Sequence, residues 1–255
     1  MSIFAGYSRY YDLLYRDKDY GAEARYVHEL ISKHAPRARS VLEIGCGTGA
    51  HAAGLASLRY DVVGVDMSEG MLAAAEARKT ALPLADAKRI EFSLGDARSF
   101  RLGRRFDVVI SLFHVMSYQT SNADLSAAFA TARQHLEPGG ILLFDCWYGP
   151  AVLTRRPSVT VRQLSDDAID VTRVAQPQMH AEQNVVDVDY TVTIADRLTG
   201  VCETLHETHR MRYLFTPEIA MMLTAAGMAL VDARDWMTDR APGFNSWSAC
   251  FVARG

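Results

Sequence analysis

Val41-Leu-Glu43-Ile-Gly45-Cys46-Gly47-Thr-Gly49 is the stretch on which the reading of this chain turns. A short apolar run leads into three glycines at alternate positions, and an Ala-rich segment follows. A strand that bends sharply into a helix needs glycine where the backbone is strained or where a ligand lies against it. Glu43 places an acid two residues before the first glycine. The turn alone would serve a dinucleotide as well as other ligands, so its partners downstream decide.

Outward from the turn, apolar strands alternate with helical stretches. Residues 41–45, 61–65, 89–94, 106–112 and 141–146 read as strands one to five. Residues 50–58, 69–79 and 123–136 read as helices, the second capped by Ser68 and the third stopped by Glu137-Pro-Gly-Gly140. Residues 1–38 look helical and rich in tyrosine up to Pro36. Alternation of this kind implies a parallel sheet with helices on both faces.

Between 152 and 215 the grammar changes to β-branched, alternating runs at 159–164, 169–174, 185–194 and 202–213, joined by polar turns. Residues 216–226 then read as a helix with Pro217 in its first turn and Gly227 at its end, and 229–235 and 247–253 as closing strands. The expected fold is α/β: a doubly wound, mainly parallel seven-stranded Rossmann-like sheet with an inserted antiparallel β-sheet after strand five. The expected division is 1–38 as an N-terminal helical lid, 39–151 as the cofactor-binding core, 152–214 as an insert covering the acceptor site, and 215–255 as completion of the core.

Composition bounds the function. At 255 residues, about half of them apolar, the chain suits one decorated α/β domain. No run reaches the roughly 18–20 apolar residues of a membrane span, and the N-terminus lacks the pattern of a secretory signal. A net charge of −3 without a basic block gives no nucleic-acid footprint. Cys46, Cys146, Cys202 and Cys250 form no CxxC pair and are expected to be buried free thiols of a cytoplasmic protein. No His/Cys/Asp cluster has metal-ligand spacing, so no metal is expected.

Four features fall in order along the chain: the glycine turn, Asp66-Met67 closing strand two, Gly95-Asp96-Ala97 after strand three, and Leu112-Phe113-His114 through Tyr118 after strand four. A carboxylate about twenty residues beyond the turn can accept both hydroxyls of a ribose. An acid after strand three can take the exocyclic amine of an adenine. All four features fall at the carboxyl ends of strands, where open α/β sheets bind ligands.

This set resembles the class I methyltransferases dependent on S-adenosylmethionine (SAM). The resemblance rests on Glu43 to Gly49, Val65-Asp66-Met67-Ser68, Leu94 to Ala97, Phe106 to Leu112 and Leu136-Glu-Pro-Gly-Gly140. It implies SAM as cofactor, with Glu43, Gly45, Cys46, Gly47, Asp66, Met67, Asp96, Ala97, Leu112 and Phe113 around it, and Tyr11 and Tyr20 as SAM or lid contacts. An NAD-dependent dehydrogenase is the nearest competitor, since Ala50 stands where its last glycine would be; no tyrosine–lysine pair for hydride transfer stands out.

A narrower likeness lies in Tyr10-Tyr11-Asp12-Leu-Leu-Tyr15, Lys18-Asp-Tyr20, Leu102-Gly-Arg-Arg-Phe106 and the β insert. These are similar to the methyltransferases that N-methylate nucleotide-linked 3-amino sugars. The likeness implies a small-molecule acceptor whose amine is methylated, with no nucleic-acid or membrane partner; a homodimer is left open. Where that group has a histidine after strand four this chain has Tyr118, and His114 stands four residues earlier. O-methylation of another small metabolite is the alternative.

Methyl transfer from a sulfonium is an in-line displacement that mainly needs alignment. An amine must attack unprotonated, whereas a hydroxyl needs a base nearby. His114, Tyr118 and Tyr7 are the candidates for acceptor contact and catalysis. The insert carries Arg155, Arg156, Arg162, Arg173, His206, His209, Arg210 and Arg212. One face of it can hold a phosphate or carboxylate, or be simply solvated. Trp147 and Tyr148 are placed to wall the acceptor pocket.

Overall fold

The structure, a computed structural model, describes residues 13–255. Tyr7 and Tyr11 therefore lie outside the described residues.

The glycine turn joins β1 (Ser40–Ile44) to α2 (Ala50–Ser57). Gly45 has φ 74°, and a Cβ there would stand 2.5 Å from Val115, so only glycine fits. In front of β1 lies α1 (Tyr20–His34), whose N-cap Asp19 accepts the Ala22 N–H. Then follow β2 (Asp61–Asp66), α3 (Glu69–Thr80), α4 (Leu84–Ala87), β3 (Ile90–Leu94), β4 (Phe106–Ser111), α5 (Asn122–Gln134) and β5 (Leu136–Tyr148). Ser68 caps α3, accepting the Met71 N–H, as its position in the sequence predicts.

Strands β3-β2-β1-β4-β5 pair in parallel in that order. Near the C-terminus, α7 (Thr216–Ala225), β10 (Ala229–Asp235) and β11 (Ser248–Arg254) return the chain, with β11 antiparallel to β5 and β10 antiparallel to β11. Alternate residues of each strand feed opposite faces. Val41, Val62, Val108 and Leu143 pack with Val27, Ile31 and Leu55 of α1 and α2. Leu42, Val63, Val109 and Phe144 pack with Phe129 of α5 and Leu223 of α7. The result is a mainly parallel, Rossmann-like sheet between two helical layers.

After α6 (Gly149–Thr154) comes a meander of β6 (Thr160–Ser165), β7 (Ile169–His180), β8 (Val185–Asp196) and β9 (Cys202–Leu214), antiparallel throughout. Trp147 and Tyr148 of β5 pair in parallel with Tyr213 and Leu214 of β9, so the meander continues the sheet instead of standing apart from it.

Two strand limits differ from the sequence expectation by more than two residues. β5 starts at Leu136, because Leu136 pairs with Phe106 and Gly139, at φ 77°, carries the chain through a register shift. β7 runs on to His180 through Pro177, paired with β8 along its whole length. β6 stops opposite Ala175, which leaves the far part of β7 an edge where proline is tolerated. One thiol also departs from expectation. All four cysteines are free, but Cys202 is exposed near the β8–β9 turn.

Candidate active site

The carboxyl ends of β1 to β5 meet under the meander and enclose a cavity of about 640 Å³. One wall carries the cofactor candidates. Gly45, Cys46 and Gly47 line it from the turn, Asp66 and Met67 from β2, Asp96 and Ala97 beyond β3, and Leu112 and Phe113 beyond β4. His114 and Tyr118 line it further along, and Tyr20 closes it from α1. Glu43 does not line the cavity; it is 1% exposed beneath the turn.

Asp66 is half-buried and accepts the N–H of Gly47 (2.8 Å) and of Ser68 (2.9 Å). Burial pushes its pKa up, partly offset by those backbone bonds. A Cβ on Gly47, at φ 53°, would meet nothing within 4 Å, so the turn presents open backbone to the cavity. A carboxylate with unused lone pairs, bare glycine backbone and apolar walls together fit the ribose, amino-acid and adenine parts of SAM. Asp96 has a cationic partner. Arg98 grips it through Nε (2.9 Å) and Nη2 (2.6 Å) and also reaches Asp124. That guanidinium keeps the Asp96 carboxyl below its ordinary range.

Glu43 works through a neighbour. His51, which does line the cavity, stands 3.5 Å from Glu43 by Nδ1 and 2.7 Å from Glu23 by Nε2. Burial opposes a charge on this ring, but the two carboxylates outweigh it and push His51 up to about 9. Lys18 pairs with Glu23 and lies 4.2 Å from the Phe113 ring centre. The chain thus buries a row of alternating charges under the site. Only the acid beside the first glycine pointed to it.

The far end of the cavity is built around His114. Phe113 and His114 both adopt left-handed backbone, at φ 62° and 65°, which non-glycine residues rarely do. Asp145, on β5, accepts the His114 backbone N–H at 3.1 Å and sits 2.6 Å from its ring Nδ1. The ring N–H does not point straight at the oxygen, so this is a charge contact more than a straight hydrogen bond. Tyr118 reaches Nδ1 of His209, on β9, at 2.7 Å. Burial and the neighbouring Tyr15, Tyr190 and Glu207 push the Tyr118 phenol far up, so it stays an O–H. Tyr190 of β8 packs edge-on against His209, with Arg173 4.7 Å over its own ring.

A second cavity, of about 390 Å³, adjoins the first and shares Trp147 and Tyr190 with it. Arg155, Arg156, Arg173 and Trp247 line it. The other basic residues of the insert do not join them. Arg212 binds Glu218 and Asn122, and Arg210 binds Asp187 and Gln183. Sequence reading missed Asp145, His51, Arg98 and Tyr190. Asp145 left one signal, an acid inside an otherwise apolar strand.

Among the described residues no helix is long and apolar enough to cross a membrane, and no group of His, Cys, Asp and Glu could hold a metal.

A methyltransferase domain model matches residues 41–140. The dTDP-3-amino-3,4,6-trideoxy-alpha-D-glucopyranose N,N-dimethyltransferase of Streptomyces venezuelae is 34% identical over 220 residues, covering 86% of this chain and 88% of that protein. The crystal structure of Streptomyces venezuelae DesVI superposes with TM-score 0.79 at 29% identity, over 97% of each chain. SAM-bound CalS10 of Micromonospora echinaspora, an amino pentose methyltransferase, superposes with TM-score 0.74 at 27% identity, over 98% of this chain and 97% of that one. Fold, turn and relatives agree: the chain belongs to the class I SAM-dependent methyltransferases. Within that class it resembles the amino-sugar N-methyltransferases.

Proposed function

We propose that the protein methylates the amine of a nucleotide-linked amino sugar. The observation that carries this reading is the pair of joined cavities. The first fits SAM and ends at His114 and Tyr118, and the second presents three arginines and two tryptophans beside it. Arginine forks match phosphate oxygens, and indole faces suit a base or sugar. We read the strands β3-β2-β1-β4-β5-β11-β10 as a seven-stranded core, with 152–214 as the cover of the acceptor site and 1–38 as a lid whose Tyr15 and Tyr20 reach the cavity. Residues 39–151 and 215–255 make up the core in this division.

Bound SAM supplies an electrophilic methyl on its sulfonium. The turn and Asp66 hold the cofactor, Trp147 and Tyr190 hold the acceptor between the two cavities, and Tyr118 and His114 stand where the amine arrives. The direct test is mass spectrometry of products from the purified protein, SAM and a panel of amino-sugar nucleotides, simple amines and alcohols. Methylation of alcohols with no amine product would defeat the reading.

Two further results are expected. Arg155→Ala or Arg156→Ala raises KM for a nucleotide-linked acceptor about tenfold, the worth of one charge-assisted hydrogen bond, and leaves SAM affinity unchanged. Titrating thymidine diphosphate as a competitor of the acceptor checks this, and equal inhibition of wild type and variants would refute it. His114→Ala lowers turnover only about tenfold, because without the ring an amine can still shed its proton to solvent before binding. A hydroxyl acceptor would make the loss nearer the roughly 10²–10⁴-fold of a general base. Turnover of His114→Ala, Tyr118→Phe and the double variant separates the cases; unchanged rates in all three would remove this segment from the site.

A further inference from the structure

We propose that Asp145 is a positioning residue for the transfer step: it keeps the His114 proton on Nδ1, so that Nε2 is the nitrogen that takes the proton shed by the acceptor amine. The proposal rests on the reading above that His114 meets the acceptor.

Asp145 is 1% exposed, in a strand whose neighbours Leu143, Phe144 and Cys146 are all buried and apolar. An ionised carboxylate is costly there unless it is met by charge and hydrogen bonds. It is met three times: by the His114 backbone N–H at 3.1 Å, the Ser248 hydroxyl at 3.0 Å and His114 Nδ1 at 2.6 Å. Burial pushes this carboxyl up, yet those contacts hold it below its ordinary range, so it is an anion. At 2.6 Å from an anionic oxygen, even off the straight hydrogen-bond line, an Nδ1 carrying its positive hydrogen is attracted, whereas a bare, electron-rich Nδ1 is repelled. The proton therefore resides on Nδ1, and in the neutral ring Nε2 is the base.

The backbone supports the same assignment. Two successive left-handed residues, Phe113 and His114, are strained, and the bond from the His114 N–H to Asp145 helps to hold them so. The Phe113 ring stacks on the imidazole at 5.5 Å and Trp147 meets it edge-on at 6.5 Å, so the ring is bracketed beside the cavity. In the step, the proton on the acceptor nitrogen passes to Nε2, which frees the nitrogen lone pair. The positive charge that His114 gains is met by Asp145, and the proton leaves to solvent when the ring resets.

Nitrogen-15 spectra of histidine-labelled protein, with His114 assigned from the His114→Gln spectrum, read the tautomer without any turnover. The wild-type ring, when neutral, is expected to carry its proton on Nδ1. Ser248→Ala is expected to keep that tautomer. In Asp145→Asn the amide can donate to Nδ1 instead, so the Nε2–H form appears and kcat falls about tenfold, to the level of His114→Ala, with KM for SAM within about twofold. A wild-type ring protonated on Nε2 overturns the proposal, even if Asp145→Asn fails to fold. So does an Asp145→Asn protein with unchanged tautomer and kcat. An Nδ1–H ring in an enzyme whose kcat is indifferent to His114→Ala overturns the proton transfer and the acceptor-facing reading beneath it.

Discussion

His51→Ala is expected to destabilise the protein by about 3–5 kcal/mol, the cost of removing one partner from a buried ion pair. The ring stands between two carboxylates, and Glu43 is 1% exposed with one oxygen, Oε2, that has no hydrogen-bond partner among the described residues. Taking the imidazolium away leaves Glu43 to be neutralised by a proton, which recovers part of the loss. Against a total stability of about 5–15 kcal/mol the remainder is large. The pH dependence has a definite sign. The folded protein holds the His51 proton up to about 9, against 6.5 unperturbed, so this stabilisation is complete below about 6.5 and fades as pH rises through about 9. Thermal melts from pH 6.5 to 9.5 should show Tm falling in the wild type, with a shallower slope in His51→Gln. A flat wild-type profile would mean that the ring is neutral throughout.

The second large effect belongs to Asp66. Asp66→Ala is expected to weaken binding of SAM and S-adenosylhomocysteine by about 1–3 kcal/mol, roughly 5- to 150-fold in Kd. The loss has two sources. A ribose loses a charged acceptor, and the N–H groups of Gly47 and Ser68 lose the carboxylate that orders them. Asp66→Asn separates these, since it keeps one acceptor oxygen while removing the charge, and should fall between the two. Calorimetry measures both, and NAD should show no binding to the wild type. Wild-type affinity in Asp66→Ala would remove the ribose assignment.

Much of this molecule was legible in one dimension, for reasons that are local. Strand and helix periods are set by the pleat and the helical turn, so the βα grammar of residues 39–151 and the alternating runs of the insert could be read directly. The glycines follow from backbone dihedrals, and Ser68 from helix-end donors left unpaired. Errors fell where a neighbour overrode the local signal. Pro138, Gly139 and Gly140 look like a stop, but pairing of Leu136 with Phe106 draws them into β5. The alternating run stops at Val174, but pairing with β8 carries the strand on through Pro177, where β6 is too short to need the missing N–H.

The sequence by itself determined the class of fold, the order of the cofactor motifs and the presence of a β meander after strand five. Each is written in spacings of a few residues, or in acids and glycines at strand ends. What only the tertiary structure decided is which side chains meet. Asp145 reaches His114 across 31 residues, and His209 reaches Tyr118 across 91. Arg173 shares a cavity with Arg155 and Arg156, while Arg212 is spent on Glu218. Such meetings depend on strand order, on register and on how the meander folds back over the sheet edge. Those are set by the packing of the whole core, and no local run of residues encodes them.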